Sequence, residues 1–208
     1  VKQVKRQFCS LGDKDGNFGG VIAGLTIHNT ALSEAQVLAR SKGFIHKWDF
    51  RSTATGLVDS VGNVAYTLAG GATRTATGVV LDGVDNAIDL NAGAATPQFV
   101  WGGQMTFEVV VMWSSLTALT TVLSCGDGVA KTSRLRIYTQ DTGKLGFGIG
   151  NVDAISPSSF VVIGQSYHIV ATVVGSDMKA YVDGTLVPGM AQTAGAEPLL
   201  VDRATCFL

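Results

Sequence analysis

Met105-Thr106-Phe107-Glu108-Val109-Val110-Val111-Met112-Trp113 is the stretch on which the fold turns. β-Branched and aromatic residues fill both phases of its alternation, and Glu108 is the single charge. That pattern predicts a central strand whose outer face is covered or concave as well as its inner one. Further strands are predicted on either side: Phe44 to Phe50, Val64 to Leu68, Gly78 to Leu81, Ala87 to Leu90, Thr120 to Cys125, Arg134 to Thr139, Lys144 to Ile149, Ser166 to Val174, Met178 to Val182 and Val201 to Leu208. Abundant glycine, 26 residues against four prolines, supplies tight turns between them. So many short strands at near-regular spacing predict an all-β, two-sheet antiparallel sandwich or jelly roll.

One segment reads as helix. Over 29–40, Leu32, Ala35, Leu38 and Ala39 recur at helical spacing, Ser33 stands ahead of Glu34 and Gln36 as a cap, and the helix ends near Lys42-Gly43. In Arg134-Leu135-Arg136-Ile137-Tyr138, alternation sends Leu135 and Ile137 to the core and Arg134, Arg136 and Tyr138 to the opposite face, a surface able to bind a ligand.

Of the 208 residues, 46% are hydrophobic and 15% charged, and 15 Lys+Arg against 16 Asp+Glu give a formal net charge of −1. This supports a sizeable core and argues against a disordered chain. No basic field exists to hold nucleic acid. Apolar runs such as Val109 to Trp113 and Phe160 to Ile163 fall far short of the ~20 residues of a membrane-spanning helix, so insertion into a bilayer is not expected. The chain opens at Val1 with neither Met nor a secretory signal, which reads as a mature product or a piece of something longer.

The order of His46-Lys47-Trp48-Asp49-Phe50, Val58-Asp59-Ser60-Val61-Gly62-Asn63 and Val80-Leu81-Asp82-Gly83-Val84-Asp85-Asn86-Ala87-Ile88-Asp89-Leu90 resembles a LamG-like, concanavalin A-like jelly roll. Met105 to Val109, Gly164-Gln165-Ser166-Tyr167-His168-Ile169-Val170-Ala171-Thr172 and Met178-Lys179-Ala180-Tyr181-Val182-Asp183-Gly184 look like that family's central strand, its Gly-Gln-x-Tyr-His strand and its Tyr-Val-Asp-Gly hairpin. The family's closing strand, normally followed by a short helix, resembles Gly16 to Ser33, which here comes ahead of the opening strand at Trp48. The resemblance therefore implies residues 1–43 as the terminal strands and helix of a repeat, permuted or belonging to the preceding repeat, and residues 44–208 as a jelly roll lacking its last strand and helix.

The two ends also match each other. Val4, Arg6, Cys9 and Leu11 recur as Val201, Arg203, Cys206 and Leu208 at a constant spacing of 197 residues, which reads as a tandem array. A single-domain permutation is the alternative. Residues 1–40 are then expected to close the open edge of the 44–208 unit, with Val21, Ala23, Leu25 and Ile27 alternating inward, from the same chain or from a neighbouring copy. Cys9 and Cys206 occupy equivalent positions, so the repeat suggests a Cys125–Cys206 disulfide with Cys9 bridged to Cys125 of another copy. That arrangement suits an extracellular, cell-surface or virion-surface location, the alternative being buried free thiols.

Catalytic signals are absent: the resemblance implies a Glu-x-Asp-x-x-Glu cluster in the family's glycosidases, and Glu34, Glu108 and Glu197 stand alone. His28, His46 and His168 are scattered, and His168 reads as a structural strand histidine. Calcium, which such domains often bind, would find oxygen ligands in Asp82, Asp85, Asn86 and Asp127, although the same residues serve equally as turn formers. A glycan platform would draw on Trp101, Trp113, Arg134, Arg136 and Tyr138, although aromatics in a sandwich are commonly core. No Asn-x-Ser/Thr sequon occurs, while Thr-rich stretches could carry O-linked sugars. Two functions remain: a non-catalytic structural repeat of an extracellular filament, appendage or virion fibre whose partners are other copies of itself, or a glycan-binding adhesion module.

Overall fold

The computed structural model describes residues 8–11, 18–28, 31, 44–51, 60, 65–90, 100–101, 104–117, 119–126, 134–190, 192–193, 201–202 and 205–208. In chain order the strands are β1 (Phe8–Leu11), β2 (Gly19–His28), β3 (Phe44–Asp49), β4 (Thr67–Ala69), β5 (Thr73–Arg74), β6 (Val79–Asp82) and β7 (Ala87–Asp89). There follow β8 (Val100–Trp101), β9 (Met105–Trp113), β10 (Thr120–Gly126), β11 (Leu135–Thr139), β12 (Leu145–Ile149) and β13 (Val152–Ile155). The last are β14 (Ser166–Val174), β15 (Asp177–Val182), β16 (Thr185–Leu186), β17 (Gln192–Thr193), β18 (Val201–Asp202) and β19 (Thr205–Phe207). The chain is all-β, with no helix among the described residues. Apart from Ala31, the helix expected between 29 and 43 lies outside them.

One sheet has eight strands in the order β13-β12-β11-β10-β19-β1-β7-β4, with β10 also paired directly to β1. The other has nine, β16-β15-β14-β9-β2-β6-β5, with β3 on β2 and β17 on β15. The long ladders β14–β9, β14–β15 and β2–β9 are antiparallel, whereas β1 and β19 lie parallel to each other. Inner faces of both sheets feed one continuous apolar cluster: Ile88, Leu123, Ile137 and Phe147 from the first, Ile22, Phe107, Val109 and Ile169 from the second. Each such side chain contributes roughly 1.5–3 kcal/mol by leaving water.

β9 holds the centre of its sheet, between β14 and β2. Phe107, Val109, Val111 and Trp113 point into the core, while Val110, on the outer face, is 40% exposed. The outer face is thus only partly covered, less than its apolar sequence suggests.

β2 carries the N-terminal part of the chain between β9 on one side and β6 followed by β3 on the other. Its side chains are not in the expected phase. Ile22, Leu25 and Ile27 are buried, but Val21 and Ala23 are only half-buried, because the register against β9 shifts between Ile22 and Gly24. An extra residue in a bulge resets which face the following side chains occupy. β6 and β3 part company at this bulge. Arg74 spans the fork: its Nη2 donates to the carbonyl of Arg51 and its Nε to that of Phe50 at 3.5 Å.

Candidate functional site

The strand β10 is where the two ends of the chain meet. Against β1, its Gly126, Cys125 and Ser124 face Phe8, Cys9 and Ser10. Against β19, the same three face Thr205, Cys206 and Phe207. Ile88 of β7 receives both strands as well: Leu11 is its register partner, and Leu208 exchanges two backbone hydrogen bonds with it, at 2.9 and 3.3 Å. Every corresponding pair, Cys9 with Cys206 or Leu11 with Leu208, is 197 residues apart. Cys125 is fully buried in the core and disulfide-bonded. The side chains of Cys9 and Cys206 lie outside the described residues, as does the expected pairing between particular cysteines.

A second feature is a cleft of about 420 Å³ on the outer face of the nine-stranded sheet, lined by Thr26, Lys47, Asp49, Arg51, Glu108 and His168 among others. Its floor is Gly24, which stands in register between Val110 and Asp49 and has no side chain to fill the space. Nε2 of His168 donates to Oε1 of Glu108 at 2.7 Å, and the backbone N–H of His168 donates to Asp183 at 2.9 Å. On the opposite wall, Arg51 grips Asp49 through Nε at 2.9 Å and Nη2 at 2.6 Å. That bidentate bond holds the Asp49 carboxyl below its usual range.

Sequence reading missed the Glu108–His168 pair because the residues are distant in the chain. Its signal lay in aligning the two longest apolar strands of the second half. Val110 opposes His168 and Glu108 opposes Val170, which makes Glu108 and His168 diagonal neighbours on one face.

Of the residues expected to form a glycan platform, Trp113 and Tyr138 are buried. Trp113 is 0% exposed, packed edge-on against Phe18 and Tyr167, each at 5.9 Å between ring centroids. It belongs to the core because β9 points its odd-numbered residues inward. Tyr138 does project from the outer face, yet it is only 2% exposed: Gly146 on the next strand leaves room for the ring, and the Arg136 guanidinium lies 4.3 Å from its centroid. Burial pushes the Tyr138 hydroxyl pKa up. Arg136 in turn reaches across Gly148 to Asp153, Nε to Oδ1 at 3.1 Å. The Tyr138 ring is therefore covered by its own neighbours. Arg134 is half-buried at the start of this strand, and the side chain of Trp101 lies outside the described residues.

The oxygen-rich loop expected to take calcium closes on itself. Oδ1 of Asp82 accepts from the backbone N–H of Val84 at 2.9 Å and of Asn86 at 3.4 Å, which keeps this exposed carboxyl below its usual range. In the orientation that satisfies both neighbours, the Asn86 amide donates to the carbonyl of Gly70 and accepts from the N–H of Asp82. Asp85 is exposed at the turn, and Asp127 lies outside the described residues. Among the described residues, no group of three or more His, Cys, Asp or Glu is placed to hold a metal ion, and no helix is long and apolar enough to cross a membrane. In comparison with known proteins, no family model matches the chain, and no curated protein or solved structure matches it either.

Proposed function

We propose that this chain is a non-catalytic structural repeat of an extracellular filament, appendage or virion fibre. Each unit is a two-sheet, LamG-like jelly-roll sandwich, completed by strands supplied between successive units. One observation carries this reading: residues 8–11 and 205–208 meet the same backbone of β10 and β7 with one constant spacing of 197 residues. A domain closed on itself has no use for the same strand twice, whereas a tandem array produces that duplication at every junction. The central place of β2 supports it, since the N-terminal segment fills a gap between strands drawn from later in the chain. A buried, bridged Cys125 suits an oxidising location outside the cell. Both carboxylates of the outer cleft are already engaged, Glu108 by His168 and Asp49 by Arg51, which supports a non-catalytic role.

The direct test is to read the coding sequence on either side of residues 1 and 208 and to weigh the assembled protein by sedimentation and electron microscopy. Recurrence of the unit at about the same spacing, with linear particles of regular repeat, is the expected result. Unrelated flanking sequence together with a monomer at all concentrations ends the reading.

The outer cleft favours a second reading, a glycan-binding adhesion module, because charged and hydroxyl side chains converge there in reach of solvent. Binding of sugars on a glycan array, abolished by Glu108→Gln, would establish it in place of the first.

A further inference from the structure

We infer that β13 is a lateral docking edge for a second copy of the chain: the two β13 strands pair antiparallel about Ala154, and each brings its Val152 to the apolar groove beside the other's Ser156. The inference rests on the structural-repeat reading for its setting, arrays lying side by side, and adds the surface through which they hold each other.

β13 ends the eight-stranded sheet, with β12 its one neighbour among the described residues. The N–H of Ser156 donates to the carbonyl of Leu145 at 2.9 Å, which sets the phase of the ladder. Ala154 and Val152, two and four residues back, bond to β12, so the N–H and carbonyl groups of Asp153 and Ile155 point away from it. No strand among the described residues meets those groups. Natural edges are commonly blunted by lysine, proline or a bulge. β13 reads Val-Asp-Ala-Ile in unbroken register. Its one charge is neutralised within its own sheet, where Nε of Arg136 donates to Oδ1 of Asp153 at 3.1 Å.

The sequence admits one self-pairing. Registers that engage both Asp153 and Ile155 set Asp153 opposite Asp153, Ile155 or Pro157 of the second copy. The first puts two carboxylates directly across from each other, a destabilising pair. The last brings in a proline, which has no N–H to give. Asp153 opposite Ile155 avoids both, satisfies the outward groups of each strand, and leaves the small, buried Ala154 of each copy on the twofold axis. Val152 then stands across from Ser156 of the second copy. Ser156 opens an apolar groove of about 210 Å³ lined also by Pro157, Phe160, Leu186, Val187 and Pro188, and Leu186 is 40% exposed. Val152, half-buried in its own chain, covers part of that groove in the other. A strand of four residues buries far less than the roughly 1,200–2,000 Å² of a stable complex, so two single chains associate weakly. Rows of repeats multiply the contact, since each pairing raises the effective concentration for the next.

The experiment uses the full chain in sedimentation equilibrium at neutral pH, from micromolar to millimolar concentration. Wild type should form a reversible dimer. Ile155→Pro removes an N–H that β12 does not use, a place where an edge strand tolerates proline. It should raise the dissociation constant about tenfold or more, because that N–H donates in both copies. Leu186→Glu changes the groove instead of the strand and should weaken the dimer too, which keeps the test open if the proline variant does not fold. A chain that stays monomeric, or folded variants that dimerise as wild type does, overturns the inference. Amide exchange followed by NMR needs no substitution: the Asp153 and Ile155 amides should slow as concentration rises. Protection gained elsewhere with none at these two overturns the inference, and so does a monomer in which they slow only on adding a synthetic (Thr-Val)3 peptide. A β13 dimer between chains whose flanking sequence holds no repeat defeats the filament reading alone. Linear arrays in which the two amides stay unprotected defeat this inference alone.

Discussion

Glu108 and His168 are joined at 2.7 Å across β9 and β14, the two strands at the heart of the nine-stranded sheet. Both side chains are largely shielded, at 18% and 24% exposed, so their bond is screened less than one on the open surface.

A double-mutant cycle measures that bond. Glu108→Ala and His168→Ala should each lower stability in urea, with a coupling of about 1 kcal/mol between them, above the usual worth of a fully exposed pair. Strictly additive losses would show that the contact contributes nothing of its own.

Gly146 and Gly148 should resist substitution although they lie on an outer face. A Cβ at Gly146 would clash with the ring of Tyr138, and one at Gly148 would collide with the carboxylate of Asp153 and crowd Arg136 at 3.1 Å. Gly146→Ala should cost about 1–3 kcal/mol, the usual penalty of overpacking, and lower the melting temperature accordingly. Wild-type thermal stability in this variant would mean that Tyr138 has another resting place.

The acid limb of the stability curve should depend on Asp49 and Asp82. Hydrogen bonds from Arg51 and from the Val84 N–H hold their folded-state values below the unfolded value of 3.8. Their contribution is complete above that value and is lost as pH falls below it through the lower folded-state values. Melting curves of Asp49→Asn and Asp82→Asn should fall less steeply than wild type below about pH 4. Parallel curves would place acid sensitivity elsewhere.

Trp113 should behave as core. Trp113→Ala should lose about 3–5 kcal/mol, whereas Trp113→Phe keeps much of the edge-on packing with Phe18 and Tyr167 and loses less. Near-equal denaturation midpoints for the two variants would contradict that packing.

The two long strands at the centre of the nine-stranded sheet were legible from their β-branched runs. Met105 to Trp113 and Ser166 to Val174 begin and end where the sequence places them, because long β-branched runs have no competing conformation. Val152–Ile155 escaped notice: it is four residues long, and the local sequence does not reveal the pairing of its Asp153 with Arg136 across Gly148. The phase of β2 was unreadable for a related reason, since only the register against β9 reveals the extra residue near Ala23. At the candidate sites, the spacing between Cys9 and Cys206 was visible in the chain, but their convergence on Cys125 needed the sheet. Tyr138 was assigned to the correct face, and its exposure was misjudged because a glycine on the neighbouring strand carries no sequence signal of its own.

The fork at Ala23 also sets how the sheet comes apart. β2 trades β6 for β3 midway, and Arg74 fastens the segment after β3 through the carbonyls of Phe50 and Arg51. Away from β2 the branch is also tied at Lys47, whose carbonyl accepts from the backbone N–H of Ser60 at 2.9 Å and from its Oγ at 3.1 Å, and so short a set of ties lets it peel from its parent while the rest of the ladder stays closed. Amide protons of β3 should therefore exchange with solvent through a local opening. Those of β2 and β9, flanked on both edges, should be released only when the whole structure unfolds. The nine-stranded sheet then melts as two cooperative units whose boundary is one residue wide.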